Sequence, residues 1–273
     1  MLPIIQIEDH IIPPDWGIYP VLFNIGNFEV PSYSVFVSLA LLVGGLIYYL
    51  ESKKIGENNE RSFYIVFASL IGGTLGAKVL DWIVNAEYII ANFPDPSVIL
   101  SGRTIVGGLI GGMIGVKIVK SKLKITERKG NLFAPSVAIG LAIGRIGCFL
   151  RGCCYGIETN LPWGINFGDD IFRHPTQIYE SIFSFLLFIY FMRINKESIP
   201  PGKLFDIFCN AYFLYRFFSE FIRAHERAFF GLTIYQIFSL VALIFLNRHK
   251  IILLMRKTKL LQFKPPERSG PVR

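Results

Sequence analysis

Long apolar stretches alternate with short polar ones along almost the whole chain. Seven of them, at 33–50, 63–83, 104–119, 133–150, 177–193, 204–222 and 232–246, approach the roughly 20 apolar residues that carry a helix across a bilayer. The pattern predicts an all-α integral membrane protein with about seven transmembrane helices. Residues 1–32 mix Pro, Gly and aromatic residues without a Lys or Arg. They predict an ordered outer segment lying at the membrane interface. Residues 33–246 form the predicted membrane domain, and 247–273 a short basic tail. No basic n-region precedes the first apolar stretch, which argues against a secretory signal peptide.

Composition agrees with this picture. Of 273 residues, 52% are hydrophobic and only 18% charged, too apolar for an ordinary soluble domain. Charge then orients the spans. Loops 51–62, 117–130 and 193–203 and the tail hold 20 of the 28 Lys and Arg residues. The alternate loops hold five, and Lys78, Arg145 and Arg216 fall inside spans. The positive-inside rule therefore puts the N-terminus outside and the C-terminus in the cytoplasm. The net charge of +8 reads as orientation and contact with anionic membrane lipid. It does not read as nucleic-acid binding, because the basic residues are spread over several loops beside spans.

Within the spans, small and charged residues stand out. Gly72, Gly73 and Gly76 lie in the second span, and Gly107, Gly108, Gly111, Gly112 and Gly115 in the third. Their spacing of four permits close approach of two helices in lipid. Gly107 and Gly108, near the outer end, could also let backbone approach a ligand. Lys78 and Asp81, three apart, can pair along one helix face.

A charge at bilayer depth is costly, so Arg145 and Arg216 are functional candidates. Tyr212, Arg216, Glu220 and Arg223 fall within a quarter-turn of one another on a helical projection. Such a polar stripe must face protein or a wet cavity. It suits an anion clamp with a hydrogen-bonding phenol, or a structural Arg216–Glu220 ion pair. Small residues flank Arg145, leaving room for a headgroup beside a guanidinium, whose planar fork suits phosphate. Pro175 fits the first position of the fifth span's helix. His174, just before it, is either a proton carrier or a cap.

Three blocks carry a resemblance: TIVGGLIGG, GRIGCFLRGCCYG and RHPTQIYE, followed by YFLYRFFSEFIR and GLTIYQIFSL. In this order on seven spans, the chain resembles the prolipoprotein diacylglyceryl transferase family from about Ile18 to Leu243. The resemblance implies a bacterial inner-membrane transferase, multi-pass and without a cofactor or metal. It implies transfer of diacylglyceryl from phosphatidylglycerol to the lipobox cysteine thiol of a pre-lipoprotein, a step of lipoprotein biosynthesis. Carried over by residue, Tyr33 stands on the family's essential tyrosine and Arg145 on the arginine that binds phosphatidylglycerol. Gly156 is the signature glycine, and Tyr212, Arg216 and Glu220 are the late polar set. Arg145, Gly156, Arg223, Gly107 and Gly108 are then the expected substrate-binding residues.

Four positions depart from the family pattern. Val106 replaces the histidine of its His-Gly-Gly motif, Cys148 and Arg151 replace two asparagines, and Cys153 replaces a glutamate. With Val106 unable to titrate, Glu220 or His174 would have to serve as a protein base. Cys148, Cys153 and Cys154 admit several roles: apolar packing, a Cys148–Cys153 disulfide, zinc ligation with His174, or a covalent intermediate. Other classes stay open beside the transferase: a paralogue with another acceptor, a non-enzymatic anionic-lipid binding or transport protein, and a membrane thiol-redox protein. A transporter would favour inverted repeats, and the halves show no internal similarity.

Overall fold

Each predicted span becomes a helix, and the bounds follow local chemistry. The computed structural model describes residues 16–262 other than 57–59, 96–98, 100–101, 127–128, 195–197 and 229. Residues 1–15 of the expected interfacial segment and 263–273 of the basic tail lie outside the described residues. The element order is β1 (Val21–Ile25), β2 (Phe28–Pro31), α1 (Ser32–Lys54), α2 (Glu60–Val84), α3 (Ala86–Ala91), α4 (Ile105–Lys122) and α5 (Gly130–Arg151). Then follow β3 (Ile165–Asn166), β4 (Phe172–Arg173), α6 (Thr176–Arg193), α7 (Lys203–Ser219), a 3-10 turn (Glu220–Ile222) and α8 (Ile234–Gln262).

Three of these helices, α1, α2 and α5, are long and apolar enough to cross a membrane. Leu41, Leu42 and Leu46 on α1, and Phe63, Phe67 and Leu75 on α2, are exposed. So broad an apolar surface calls for lipid rather than water. Many polar side chains turn inward instead, among them Ser62, Gln177, Glu180, Ser184 and Gln236, which are buried.

Helix α2 packs most extensively on α4, and α1 on α5. The α2–α4 seam is made of the expected glycines. A Cβ on Gly76 would lie 2.6 Å from the Cα of Gly111, and one on Gly72 3.1 Å from that of Gly115. Two backbones this close exclude any side chain, so dispersion contacts between main chains hold the pair. Beside this seam lies an apolar core of Leu80, Val106, Ala134, Ala138, Phe208, Tyr212 and Phe213, which joins α2, α4, α5 and α7.

Helix ends have visible causes. Thr104 caps α4 by accepting from the Gly107 amide at 3.2 Å. Before α8, Thr233 Oγ1 accepts from the Gln236 amide, while Gln236 Oε1 accepts from the Thr233 amide. This reciprocal pair satisfies two donors that the helix leaves unbonded. Helix α5 stops at Gly152, whose φ of +78° reverses the chain.

One end of the bundle carries a lid of loops. Hairpin β1–β2 is antiparallel. Ahead of it, the Trp16 indole donates to Gly152 O at 2.7 Å and the Gly17 amide to Phe167 O at 2.7 Å. Trp16, Tyr155 and Phe167 form a small second core there. The short β3–β4 hairpin is fixed by Arg173, which donates to both carboxylate oxygens of Asp169 at 2.6 and 2.5 Å. Arg173 also lies 4.9 Å from the centre of the Tyr155 ring.

The last helix differs from its expectation. The apolar run ends near 246, but α8 continues to Gln262 through the basic residues. Leu, Met, Lys and Arg all have high helix propensity, so the loss of hydrophobicity does not end the helix.

Candidate functional site

Beneath the lid, α5, α6, α7 and the segment that follows α7 bring five charged side chains together, and a carboxylate lies at their centre. Glu180 is in the second turn of α6 and fully buried. Arg145 of α5 contacts its Oε2 at 2.9 Å, Arg223 at 2.6 Å and Arg216 of α7 at 3.7 Å. The Tyr212 phenol donates to its other oxygen, Oε1, at 2.8 Å. Arg216 also pairs with Glu220 at 3.0 Å, and the Arg223 Nε lies 3.9 Å from the same carboxylate. Glu220 in turn accepts from Thr233 Oγ1 at 3.2 Å and meets the His225 ring nitrogen in a short hydrogen bond. The Arg216 guanidinium sits 5.3 Å from the centre of the Tyr235 ring.

The charge balance is informative. Arg145, Arg216 and Arg223 are buried with Glu180 and Glu220, three cations against two anions. Counting these arginines and glutamates alone, the group keeps one positive charge. Arg145 Nε, Arg216 Nη1 and Arg223 Nε are buried without a hydrogen-bond acceptor. An arrangement with spare donors and a spare charge can bind a monoanion. Burial makes that interaction stronger than it would be in water.

Local geometry explains how the group is built. Tyr212 and Arg216 share one face of α7, as the spacing of four predicts. Arg223 reaches the site differently from the helical projection. Helix α7 ends at Ser219, and after the 3-10 turn Arg223 is extended and pairs with Gly156 in an antiparallel bridge. Gly156 permits that pairing: a Cβ there would be 2.5 Å from Ile222 O and 2.6 Å from the His174 Cβ. The loop after α5 is pinned by its carbonyls. Gln177 donates to Cys153 O at 2.6 Å, Thr176 to Cys154 O at 2.7 Å and Arg223 to Cys154 O at 3.1 Å.

The expected site residues are therefore not all in one place. Arg145, Tyr212, Arg216, Glu220 and Arg223 converge, and Gly156 buttresses them. Tyr33, on α1, lies 5.4 Å beneath the Arg151 guanidinium, and its Cα would be 3.3 Å from a Cβ on Gly147. His174 places Nδ1 3.3 Å from the Tyr179 hydroxyl, which accepts from Trp163 at 2.8 Å. Gly107 is buried against Gly76 and Leu80, and Gly108 faces Gly73. Both glycines lie in the α2–α4 seam. Lys78 donates to Ile99 O at 2.9 Å, while Asp81 accepts from Asn85 at 2.9 Å.

The cysteines are free thiols, so the Cys148–Cys153 disulfide is absent here. Cys148, Cys153 and Cys154 still cluster: their sulfurs all lie within 4.8 Å of one another. Among the described residues, the cluster does not include His174, which corrects the expected four-residue zinc set. The His174 ring turns towards Tyr179 instead.

Two residues at the site were absent from the expected set. Glu180 ends the RHPTQIYE block and is an acid inside a span, which alone marks it as a candidate. His225 follows the sixth span in a loop, and no sequence pattern connects it with Glu220.

Comparison with known proteins gives a concordant result. Residues 20–249 match the family described as prolipoprotein diacylglyceryl transferase. A phosphatidylglycerol–prolipoprotein diacylglyceryl transferase of Clostridium tetani is 36% identical over 215 residues, 76% of this chain and 86% of the relative. A protein named phosphatidylglycerol–prolipoprotein diacylglyceryl transferase 2, from Clostridium perfringens, is 32% identical over 78% of this chain and 86% of its own length. A relative of the first name in Geobacter sulfurreducens is 30% identical over 75% of this chain and 82% of its own length.

Proposed function

Because the chain belongs to the prolipoprotein diacylglyceryl transferase family, we infer that it transfers diacylglyceryl from phosphatidylglycerol to the lipobox cysteine of pre-lipoproteins. The observation that carries this reading is the buried surplus of one arginine over the glutamates, with unclaimed guanidinium nitrogens. A phosphodiester supplies the single negative charge that balances it.

In this reading all seven long helices span the bacterial cytoplasmic membrane, with the N-terminus outside and the C-terminus in the cytoplasm. The asymmetry of Lys and Arg between alternate loops supports that orientation. The loop lid then faces outwards, where a secreted acceptor peptide arrives.

The reaction is a displacement at the glycerol carbon bonded to the lipid phosphate. The acceptor sulfur forms a bond to that carbon, and the carbon–oxygen bond breaks. Glycerol phosphate leaves with the electron pair. Charge therefore builds on the departing phosphate, and prepositioned donors lower that barrier most. We assign Arg145, Arg216 and Arg223 to the phosphate. Glu180 and Tyr212 position those arginines, and Gly156 lets the Arg223 strand come close enough. Glu220 carries the His225 imidazole on a carboxylate, the usual arrangement of a base, and this pair takes the thiol proton. His174 and Tyr33 belong in this reading to the rim where the peptide enters. Gly107 and Gly108 keep α4 against α2 behind the site.

The test uses purified protein with phosphatidylglycerol labelled in its acyl chains and a lipobox peptide. The expected result is label on the cysteine peptide and none on its serine counterpart. Equal labelling of both, or of neither, would count against this function.

A further inference from the structure

The arginine site leaves one chemical cluster unused. Cys148, Cys153 and Cys154 bring three sulfurs within 4.8 Å of one another, two of the residues buried and one half-buried. We propose that these cysteines form a site for a thiophilic divalent metal ion of the zinc type, whose remaining coordination position takes the acceptor's thiol. The second half of this proposal rests on the transferase reading; the metal site itself does not.

Geometry favours a metal. With metal–sulfur bonds of about 2.3 Å, the edge of a tetrahedral thiolate site is about 3.8 Å. The three sulfurs need to contract little from their separation here. Cys154 has φ +59°, uncommon outside glycine, two residues after the reversal at Gly152. Three donors from α6 and the Arg223 strand hold the Cys153 and Cys154 carbonyls, so the side chains are oriented by main-chain bonds.

Charge points the same way. Thiolate ligands are anionic, and Arg145 Nη1 lies 3.8 Å from the Cys148 sulfur. The same arginine contacts Glu180, so the cluster adjoins the place assigned to the lipid phosphate. Zinc prefers four ligands, and three protein ligands leave one position for substrate. A thiol bound there loses its proton, here to the His225–Glu220 pair or through it to solvent. The bound sulfur then attacks the glycerol carbon as described above, and the metal keeps its charge and oxidation state.

Cobalt(II) reports directly on such a site. The full chain, purified under reducing conditions without metal, is titrated with Co2+ alone. The expected result is an intense sulfur-to-cobalt charge-transfer band saturating at one ion per chain, reversed by Zn2+. Cys153→Ser and, separately, Cys154→Ser should weaken cobalt binding at least tenfold, whereas Cys209→Ser should leave it unchanged. Adding a lipobox peptide should shift the cobalt ligand-field bands, and its serine analogue should not. No thiolate band in the wild type, or a band indifferent to both cysteine variants, overturns the metal site. A band that the cysteine peptide fails to shift overturns the thiol-binding half. So does a metal-stripped enzyme that transfers lipid at the full rate. A peptide-dependent shift without any lipid transfer would leave the metal site standing and count against the transferase reading instead.

Discussion

The α2–α4 seam and the α5–α6–α7 cluster solve one problem, holding helices together in lipid, by opposite means. At the seam, side chains are removed until backbones touch, as at Gly72, Gly76, Gly111 and Gly115. At the cluster, the largest polar side chains in the chain are buried and made to satisfy one another around Glu180. The seam has no charge to offer a ligand and no room for one. The cluster has charge to offer, because its satisfaction is incomplete: one positive charge and three guanidinium nitrogens are left over. The contrast separates packing from function.

The contrast can be broken at either end. The largest effect is expected at Glu180. Glu180→Ala leaves three guanidiniums without their shared carboxylate, and removing one member of a buried ionic group costs about 3–5 kcal/mol. Thermal unfolding in detergent should show the loss, and lipid transfer should fall with it. A melting temperature within a degree of wild type would mean that Glu180 is not the hub. At the seam, Gly111→Val should cost about 1–3 kcal/mol by forcing α2 and α4 apart. Any protein that still folds should keep its affinity for phosphatidylglycerol, since no seam residue touches the arginines. Loss of lipid binding by a folded Gly111→Val protein would show that the two regions are coupled.

The smallest effect is expected in the lid. The hydrogen bonds from Arg173 hold the Asp169 carboxyl below its usual range. A carboxylate with a lowered folded-state pKa stabilises the fold above its unfolded value of about 3.9. That contribution fades as pH falls through the lower, folded value. Asp169→Asn should therefore lower stability slightly at neutral pH, and the difference from wild type should vanish in acid. A deficit that grows as the pH falls would contradict this. Because Asp169 is partly exposed, the effect should stay near the scale of a surface ion pair.

Much of this was legible from hydrophobic pattern alone. All seven apolar stretches are helical, and the spacing of four correctly places Tyr212 and Arg216 on one face. The glycine spacing identified the seam. What pattern could not supply was contact between distant segments. Glu180 lies 35 residues from Arg145 and 36 from Arg216, and only the folded bundle brings them together. Projection onto an ideal helix put Arg223 on the α7 stripe, but the helix ends first, and Arg223 arrives by pairing with Gly156. His225 approaches Glu220 through a loop, where periodicity carries no information. The cysteines were visible as a cluster in sequence. That their sulfurs converge depends on the left-handed turn at Gly152 and Cys154, which spacing does not reveal.

Arg145 joins the two chemistries, contacting Glu180 on one side and Cys148 on the other. The most direct test of the account is thus the rate of diacylglyceryl transfer by Arg145→Ala, measured beside its thermal stability. Arg216 and Arg223 still hold Glu180 in this variant, so it should fold. Transfer should fall on the order of 100-fold or more, the loss expected when a prepositioned donor to the leaving group is removed. A folded Arg145→Ala protein that transfers lipid near the wild-type rate would contradict the central claim that this arginine cluster carries the reaction.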